Sequence, residues 1–190
     1  MLAKVIQEAT DAVAAAVKGV DNILDAITGS VKDQVVNLLQ GTGEIASTGI
    51  EAIASIASGA VKGAGQVGSS ITDTAASTMS GIVKGVSQVG GDVVTAVRGG
   101  AQGIVQATAE TGGDIGSAAV AAVQGAIKAA GDVGANTSAA AKSAVGGVLD
   151  AATTVGGSAV ATVRNALLSA AALPRDVIES ALKGTNGDKK

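Results

Sequence analysis

The segment GIVKGVSQVGGDVVTAVRGGAQ, residues 81–102, is one copy of a 22-residue unit that repeats through most of the chain. Other copies begin, in the same frame, with GAVKGAGQVG at 59–68, GIVQATAETG at 103–112, GAIKAAGDVG at 125–134 and GVLDAATTVG at 147–156. Stepping back by the same interval gives NLLQGTGEIA from Asn37 and AAVKGVDNIL from Ala15. A fixed period without insertions predicts one small structural unit that is used many times.

The spacing of apolar residues within the unit predicts an α-helix. Counted from Gly81, apolar or small residues fall at repeat positions 2, 6, 9, 13, 17 and 21, and polar residues fall at 4, 8, 12, 18 and 22. This pattern corresponds to about 3.67 residues per turn, close to the roughly 3.6 of a relaxed helix. We therefore expect an all-α protein of long amphipathic helices, packed in a bundle, filament or tube. The apolar face predicted for assembly contains Ile82, Val86, Val89, Val93, Val97, Ile104, Ile115, Val123, Ile127, Val133 and Val145.

Glycine recurs within these predicted helices, where each one costs about 0.8–1.0 kcal/mol relative to alanine. One explanation is that glycines let two helices approach closely. The glycines with the matching spacing are Gly59, Gly63, Gly81, Gly85, Gly112 and Gly116. The other explanation is that steps such as Gly90-Gly91-Asp92 end one helix and cap the next. We favour long continuous helices, because the apolar stripe keeps its phase across these steps.

A strand repeat is the alternative to the helix. The polar residues of the repeat, at positions 4, 8, 12, 18 and 22, have even residue numbers, whereas many valines, such as Val83, Val89 and Val93, have odd ones. This alternation also suits a β-solenoid or an amyloid-like fibre. Spacing by four preserves this alternation, however, so a helix accounts for it equally well. Alanine-rich windows such as Ala118–Ala122 and the lack of aromatic residues favour the helix.

The composition excludes several classes of protein. The chain has 190 residues, including 28 glycines and one proline, but no aromatic residue, cysteine or histidine. Because aromatic side chains usually supply much of the buried area, we expect thin aliphatic layers instead of a thick core. The net charge of −3 argues against a nucleic-acid partner, which would require clustered lysine and arginine. The lack of cysteine excludes disulfides and thiolate metal sites.

No catalytic, cofactor or metal site is predicted. Gly63, Gly65 and Gly68 match the G-x-G-x-x-G nucleotide motif, but the same slots recur along the repeat and no βα pattern surrounds them. Glu110 and Asp114 lie one helical turn apart, far short of the roughly six to eight oxygen ligands of Ca²⁺. Without histidine, general acid–base chemistry has no obvious residue. We expect no enzymatic activity, no cofactor and no small-molecule substrate.

We divide the chain into a helical lead-in at 1–14, about seven repeats at 15–168, and a short helix with a polar tail at 169–190. Residues 4–40 are expected to form one sturdy helix, and Pro174 to begin the last helix, with Gly184 as its stop. No charge-free run reaches the ~20 residues that span a membrane. Because Glu8 and Asp11 interrupt any cleavable leader, we expect the chain to be cytoplasmic or exported without one.

Undecad repeats of Val, Gly, Thr, Ala and Lys, as in GIVKGVSQVGGDVVTAV (81–97), resemble the lipid-surface helices of perilipins and synucleins over residues 15–168. The resemblance implies one continuous amphipathic helix on a membrane or lipid droplet. This chain has fewer lysines per repeat and more alanine and glycine on both faces. Fewer charges weaken attraction to anionic lipid, and small residues favour contacts between helices.

The predicted function is therefore that of a non-enzymatic structural protein that self-assembles through its apolar helical face. A stripe continued over seven repeats exceeds the roughly few hundred Å² that a monomer usually exposes. Other copies of the chain are expected to cover it. The alternative partner is a membrane, lipid-droplet or storage-granule surface.

Overall fold

The computed structural model describes residues 2–17, 22–42, 47–66 and 68–187, which form nine α-helices and no strand. The helices are α1 (Leu2–Val17), α2 (Ile23–Thr42), α3 (Ser47–Gln66), α4 (Ile71–Gln88), α5 (Val93–Glu110), α6 (Ile115–Asp132), α7 (Thr137–Val155), α8 (Ala159–Ser169) and α9 (Arg175–Gly187). The all-α class expected from the sequence is confirmed.

Each interior helix corresponds to one copy of the sequence repeat. Helices α4, α5 and α6 have 18 residues each, and turns of four residues complete the 22-residue period. Gly68, Gly90, Gly112 and Gly134 stand at the helix ends with φ values of 75°, 71°, 73° and 73°. Glycine adopts this left-handed conformation without steric cost, and it ends a helix by the Schellman arrangement. The expectation of long continuous helices is therefore wrong.

Each of these turns also begins the next helix. Two residues after the left-handed glycine stands an N-cap residue, whose side chain accepts a hydrogen bond from a backbone N–H group of the new helix. These N-caps are Ser70, Asp92, Asp114 and Asn136. The apolar stripe keeps its phase because helix and turn together fill one period, so phase alone does not distinguish a turn from a continuing helix.

The helices stack in two layers. Helices α1, α3, α5, α7 and α9 pack side by side in one layer, which we call the odd layer. Helices α2, α4, α6 and α8 pack in the other, the even layer. Consecutive helices lie in opposite layers, so the structural unit is a helix pair of 44 residues, twice the 22-residue sequence repeat.

The predicted assembly face fills the space inside this two-layer stack. Ile82, Val86, Val97, Ile104, Val123 and Val145 are fully buried, and Val93 is 8% exposed. Val89, Ile115 and Val133 lie at helix ends and Ile127 lies within α6, and all four are partly buried against the same core. The chain therefore covers its own stripe by folding back at every turn, which corrects the expectation that other copies must cover it.

Both ends of the chain differ from the prediction in detail. The single helix expected at 4–40 is two helices, because α1 ends at Val17 and Asn22 caps α2 by accepting from the backbone N–H of Leu24 at 3.2 Å. The last helix follows Pro174 as expected but continues to Gly187, past the stop expected at Gly184. The rest of the predicted polar tail lies outside the described residues.

Candidate functional site

Glycine at repeat position 1 marks the point where each helix meets its neighbour in the same layer. A Cβ at Gly81 would lie 2.6 Å from the Thr28 carbonyl oxygen, and one at Gly125 would lie 3.0 Å from that of Ala76. At Gly103 and Gly147 the added carbon would overlap the carbonyl oxygens of Ala54 and Arg98. These positions have no room for a side chain, because the two backbones are in contact.

Four of the six predicted close-packing glycines lie at such backbone contacts, and a fifth, Gly116, lies against the side chain of Ala166. An added Cβ would lie 2.7 Å from Ile6 O at Gly59, 2.7 Å from Thr10 O at Gly63, 2.6 Å from Thr28 O at Gly81, 2.9 Å from Lys32 O at Gly85 and 3.2 Å from Ala166 Cβ at Gly116. The prediction for Gly112 is wrong. Its φ is 73°, and no atom of the described residues lies within 4 Å of an added Cβ, so it forms a turn and not a contact.

Sequence reasoning missed Gly99, Gly103, Gly125 and Gly147, which also meet neighbouring backbone. For Gly103, Gly125 and Gly147 the signal was present in the sequence, because repeat position 1 is glycine in all five copies from Gly59 to Gly147. A pattern of two glycines four residues apart does not include Gly125 or Gly147.

Two ion pairs join successive helices on the outer surface of the odd layer. Lys62 Nζ lies 2.6 Å from Glu110 Oε2, linking α3 to α5. The Arg98 guanidinium donates from Nε (3.0 Å) and Nη2 (2.7 Å) to Asp150 Oδ2, linking α5 to α7. All four side chains are substantially exposed, so each pair contributes at most about 1 kcal/mol and serves mainly to align the helices.

A polar groove of about 260 Å³ crosses the even layer between α2, α4 and α6. Lys84 and Lys128 line it together with Asp25, Asp132 and hydroxyls such as that of Ser77. Two positive and two negative charges balance one another here. The groove therefore has no excess positive charge of the kind that binds phosphate backbones.

A more apolar groove of about 350 Å³ opens between α1 and α2, and we call it the N-terminal groove. Its lining residues are Val5, Glu8, Ala12, Gln34, Asn37, Leu38 and Ile56. The Nε2 atom of Gln34 is buried but has no hydrogen-bond partner among the described residues. A buried donor without a partner is costly.

The turns carry the carboxylates with the clearest pKa shifts. The Thr95 hydroxyl bonds the Asp92 carboxylate, and the backbone N–H of Val94 donates to it at 2.9 Å, so the pKa of Asp92 is lowered. The Ser117 hydroxyl at 2.8 Å and the N–H groups of Ser117 and Gly116 lower the pKa of Asp114 in the same way. Asp114 is thus a helix cap, and Glu110, which was considered beside it as a weak cation ligand, pairs with Lys62.

We expect that replacing both caps, Asp92 and Asp114, by asparagine makes the protein lose less stability at low pH. A carboxyl whose folded pKa is lowered stabilises the fold above its unfolded pKa of about 3.9, and this contribution disappears as the pH falls through the folded value. Asparagine caps helices about as well as aspartate but does not titrate. Urea unfolding from pH 7 to pH 2 measures the difference between the D92N/D114N variant and the parent.

The double variant is expected to match the parent near pH 7 and to lose less stability below about pH 4. The D92A/D114A variant is the control. It loses both caps and is expected to be less stable at neutral pH by about 1 kcal/mol per cap. Equal losses in acid for the parent and the asparagine variant would contradict the prediction.

Neither a cluster of metal-binding side chains nor a membrane-spanning helix is found in the described part of the chain. Residues 2–17, 22–42, 47–66 and 68–187 contain no group of three or more acidic, histidine or cysteine side chains placed to hold a metal ion. None of the helices in these ranges has the length and apolar character needed to cross a bilayer.

Comparison with known proteins agrees with the architecture. No protein-family model matches the sequence, and no curated protein matches it. Among solved structures, the chain is similar to the crystal structure of a de novo designed helical repeat protein, DHR7. The TM-score is 0.52, the sequence identity is 16%, and the match covers 98% of each chain. At this identity the likeness concerns the fold alone, which is that of a helical repeat protein.

Proposed function

We propose that this protein is a non-enzymatic structural scaffold, a folded helical-repeat body that acts through contacts with macromolecules and chiefly with copies of itself. The observation that carries the proposal is that the apolar stripe is mostly buried inside one chain. What remains outside is a surface of mostly small and polar residues with shallow open grooves, on which few large apolar side chains of the described residues are exposed. Such a surface suits contact with other proteins better than enclosure of a small substrate, which usually needs a concave apolar pocket.

Burial of the stripe also favours a scaffold over a lipid coat. A perilipin-like or synuclein-like helix turns its apolar stripe toward the acyl chains. In this chain the same stripe includes Ile82, Val97 and Ile104, all at 0% exposure. Lipid binding of that kind would require the two layers to separate and would expose the core.

Far-UV circular dichroism with and without vesicles tests this proposal. We expect a helical spectrum in buffer and cooperative thermal unfolding, because the helices are held by tertiary burial. Vesicles containing phosphatidylserine are expected to leave the spectrum unchanged. Pure phosphatidylcholine vesicles are the uncharged control.

Each alternative gives a different spectrum. A coil spectrum in buffer that becomes helical with phosphatidylserine vesicles would contradict the scaffold and support a lipid coat. A strand spectrum with binding of an amyloid dye would overturn both the scaffold and the helical fold.

A further inference from the structure

The N-terminal groove occupies a place that is covered elsewhere in the molecule. A shift of 44 residues, which is one helix pair, relates each groove residue on α1 and α2 to a residue of the next pair. Gln34 and Leu38 correspond to Thr78 and Ile82, and by a second shift to Ala122 and Ala126. All four counterparts have 0% exposure. The other lining residues of α1 and α2 also correspond to buried positions in both following pairs.

A helix of the preceding pair covers these counterparts. Gly81, the counterpart of Asn37, lies against Thr28 and Val31 of α2, and Gly125 lies against Ala76 of α4. The groove therefore lies where a helix of a preceding pair would pack in a longer stack of the same kind.

The opposite end of the molecule presents a suitable surface. Leu168 of α8 is 40% exposed, one of the most exposed large apolar side chains among the described residues. Ala166 of α8 contacts Gly116 of α6, and two further residues turn the helix by about 200°, so Leu168 points away from α6. Leu168, Ala171, Leu173 and Arg175 together line an open depression at this end, which we call the C-terminal patch.

Charge is complementary between the two ends. The described residues of α1 and α2 carry two lysines against four carboxylates, a net charge of −2. Those of α8 and α9 carry Arg164, Arg175 and Lys183 against two carboxylates, a net charge of +1. Opposite charges at the two ends favour head-to-tail over head-to-head contact between copies.

We propose that the N-terminal groove binds the C-terminal patch of a second copy, so that stacks join head to tail. A contact between two different surfaces of the same molecule leaves one of each surface open, and it extends into a filament unless the rotation between copies closes a ring. The inference deepens the proposed scaffold function and rests on it, since it names the surfaces through which copies meet.

The residues in the groove also set the strength of this contact. Where interior pairs have alanine, threonine or glycine, the groove has Glu8, Gln34 and Asn37. These larger polar residues prevent the close packing of the interior layers, and the Gln34 amide needs a polar partner. The contact is therefore expected to be weaker than the interior packing, to depend on concentration and to weaken with added salt.

Two single substitutions and their mixture test the proposal by sedimentation velocity. Leu38→Glu alters only the groove, and Leu168→Glu alters only the patch. Each is expected to weaken self-association at least about tenfold, because the glutamate would be desolvated without a partner. Mixing the two variants is expected to restore 1:1 dimers and nothing larger, since each variant keeps one intact end.

Controls separate this contact from other effects. Leu24→Glu on α2 places the same change at a residue with 36% exposure that does not line the groove, and it is expected to leave association unchanged. Circular dichroism shows whether Leu38→Glu remains folded. If it does not, Ala12→Glu, which alters the groove on its α1 side, takes its place.

The outcomes decide the inference. A helical parent that remains monomeric at high concentration would overturn the head-to-tail contact and self-association as the chief contact of the scaffold, but not the folded helical-repeat body. A mixture that fails to form dimers, or a Leu24→Glu variant that dissociates like Leu38→Glu, would also overturn it. A parent without helix in buffer would instead overturn the proposed function itself.

Discussion

Gly103→Ala is expected to lower the free energy of unfolding by about 3 kcal/mol, toward the upper end of the cost of overpacking. The added Cβ would overlap the Ala54 carbonyl oxygen and would also lie 2.7 Å from the Ala54 carbonyl carbon and 2.9 Å from its Cα. All three atoms belong to a rigid backbone, so α3 and α5 must move apart to make room. Urea unfolding followed by circular dichroism measures the loss.

Gly65→Ala is the matched control for this substitution. Gly65 lies in α3, and no atom of the described residues lies within 4 Å of an added Cβ. There the better helix propensity of alanine is unopposed, and stability is expected to rise by up to about 1 kcal/mol. Opposite signs for the two changes would establish the contact between α3 and α5. A gain in stability at both positions would show that the backbones do not meet there.

The sequence predicts the helices because the apolar residues of the stripe follow one helical spacing. Repeat positions 2, 6, 17 and 21 hold Ile82, Val86, Val97 and Ala101, and all four are fully buried. Helix period and buried face can thus be predicted from the spacing alone. The turns cannot be predicted from that spacing, because 18 helical residues and four turn residues repeat with the same period as an unbroken helix.

What covers the stripe depends on these turns. A continuous helix of 190 residues would leave its apolar face to other molecules, whereas a chain that turns at Gly68, Gly90, Gly112 and Gly134 covers the face itself. The left-handed glycine followed two residues later by Ser, Asp or Asn was visible in the sequence. This pattern says more about the fold than the phase of the stripe does. A residue that ends one helix, followed closely by a residue that caps the next, has a local steric cause.

The N-terminal groove can also be predicted in part from the sequence. Glu8 and Gln34 stand at positions where the two following helix pairs have Ala52 and Ala96, and Thr78 and Ala122. Comparison at twice the sequence repeat reveals these polar replacements, but comparison at one repeat mixes the two layers and hides them. Only the layered arrangement shows that alternate helices are the equivalent ones.

Val97→Asp is expected to remove the fold and not merely the contact between copies. Val97 is fully buried in the core between the layers, and an unpaired carboxylate there costs about 3–5 kcal/mol. That is a large share of the roughly 5–15 kcal/mol that holds a domain together. We expect a strongly lowered thermal midpoint or loss of the helical spectrum. Gln102→Ser on the same helix, at a partly exposed site, is expected to change stability by less than about 0.5 kcal/mol. A helical, monomeric Val97→Asp protein with parental stability would mean that this face meets other copies and not the chain's own helices.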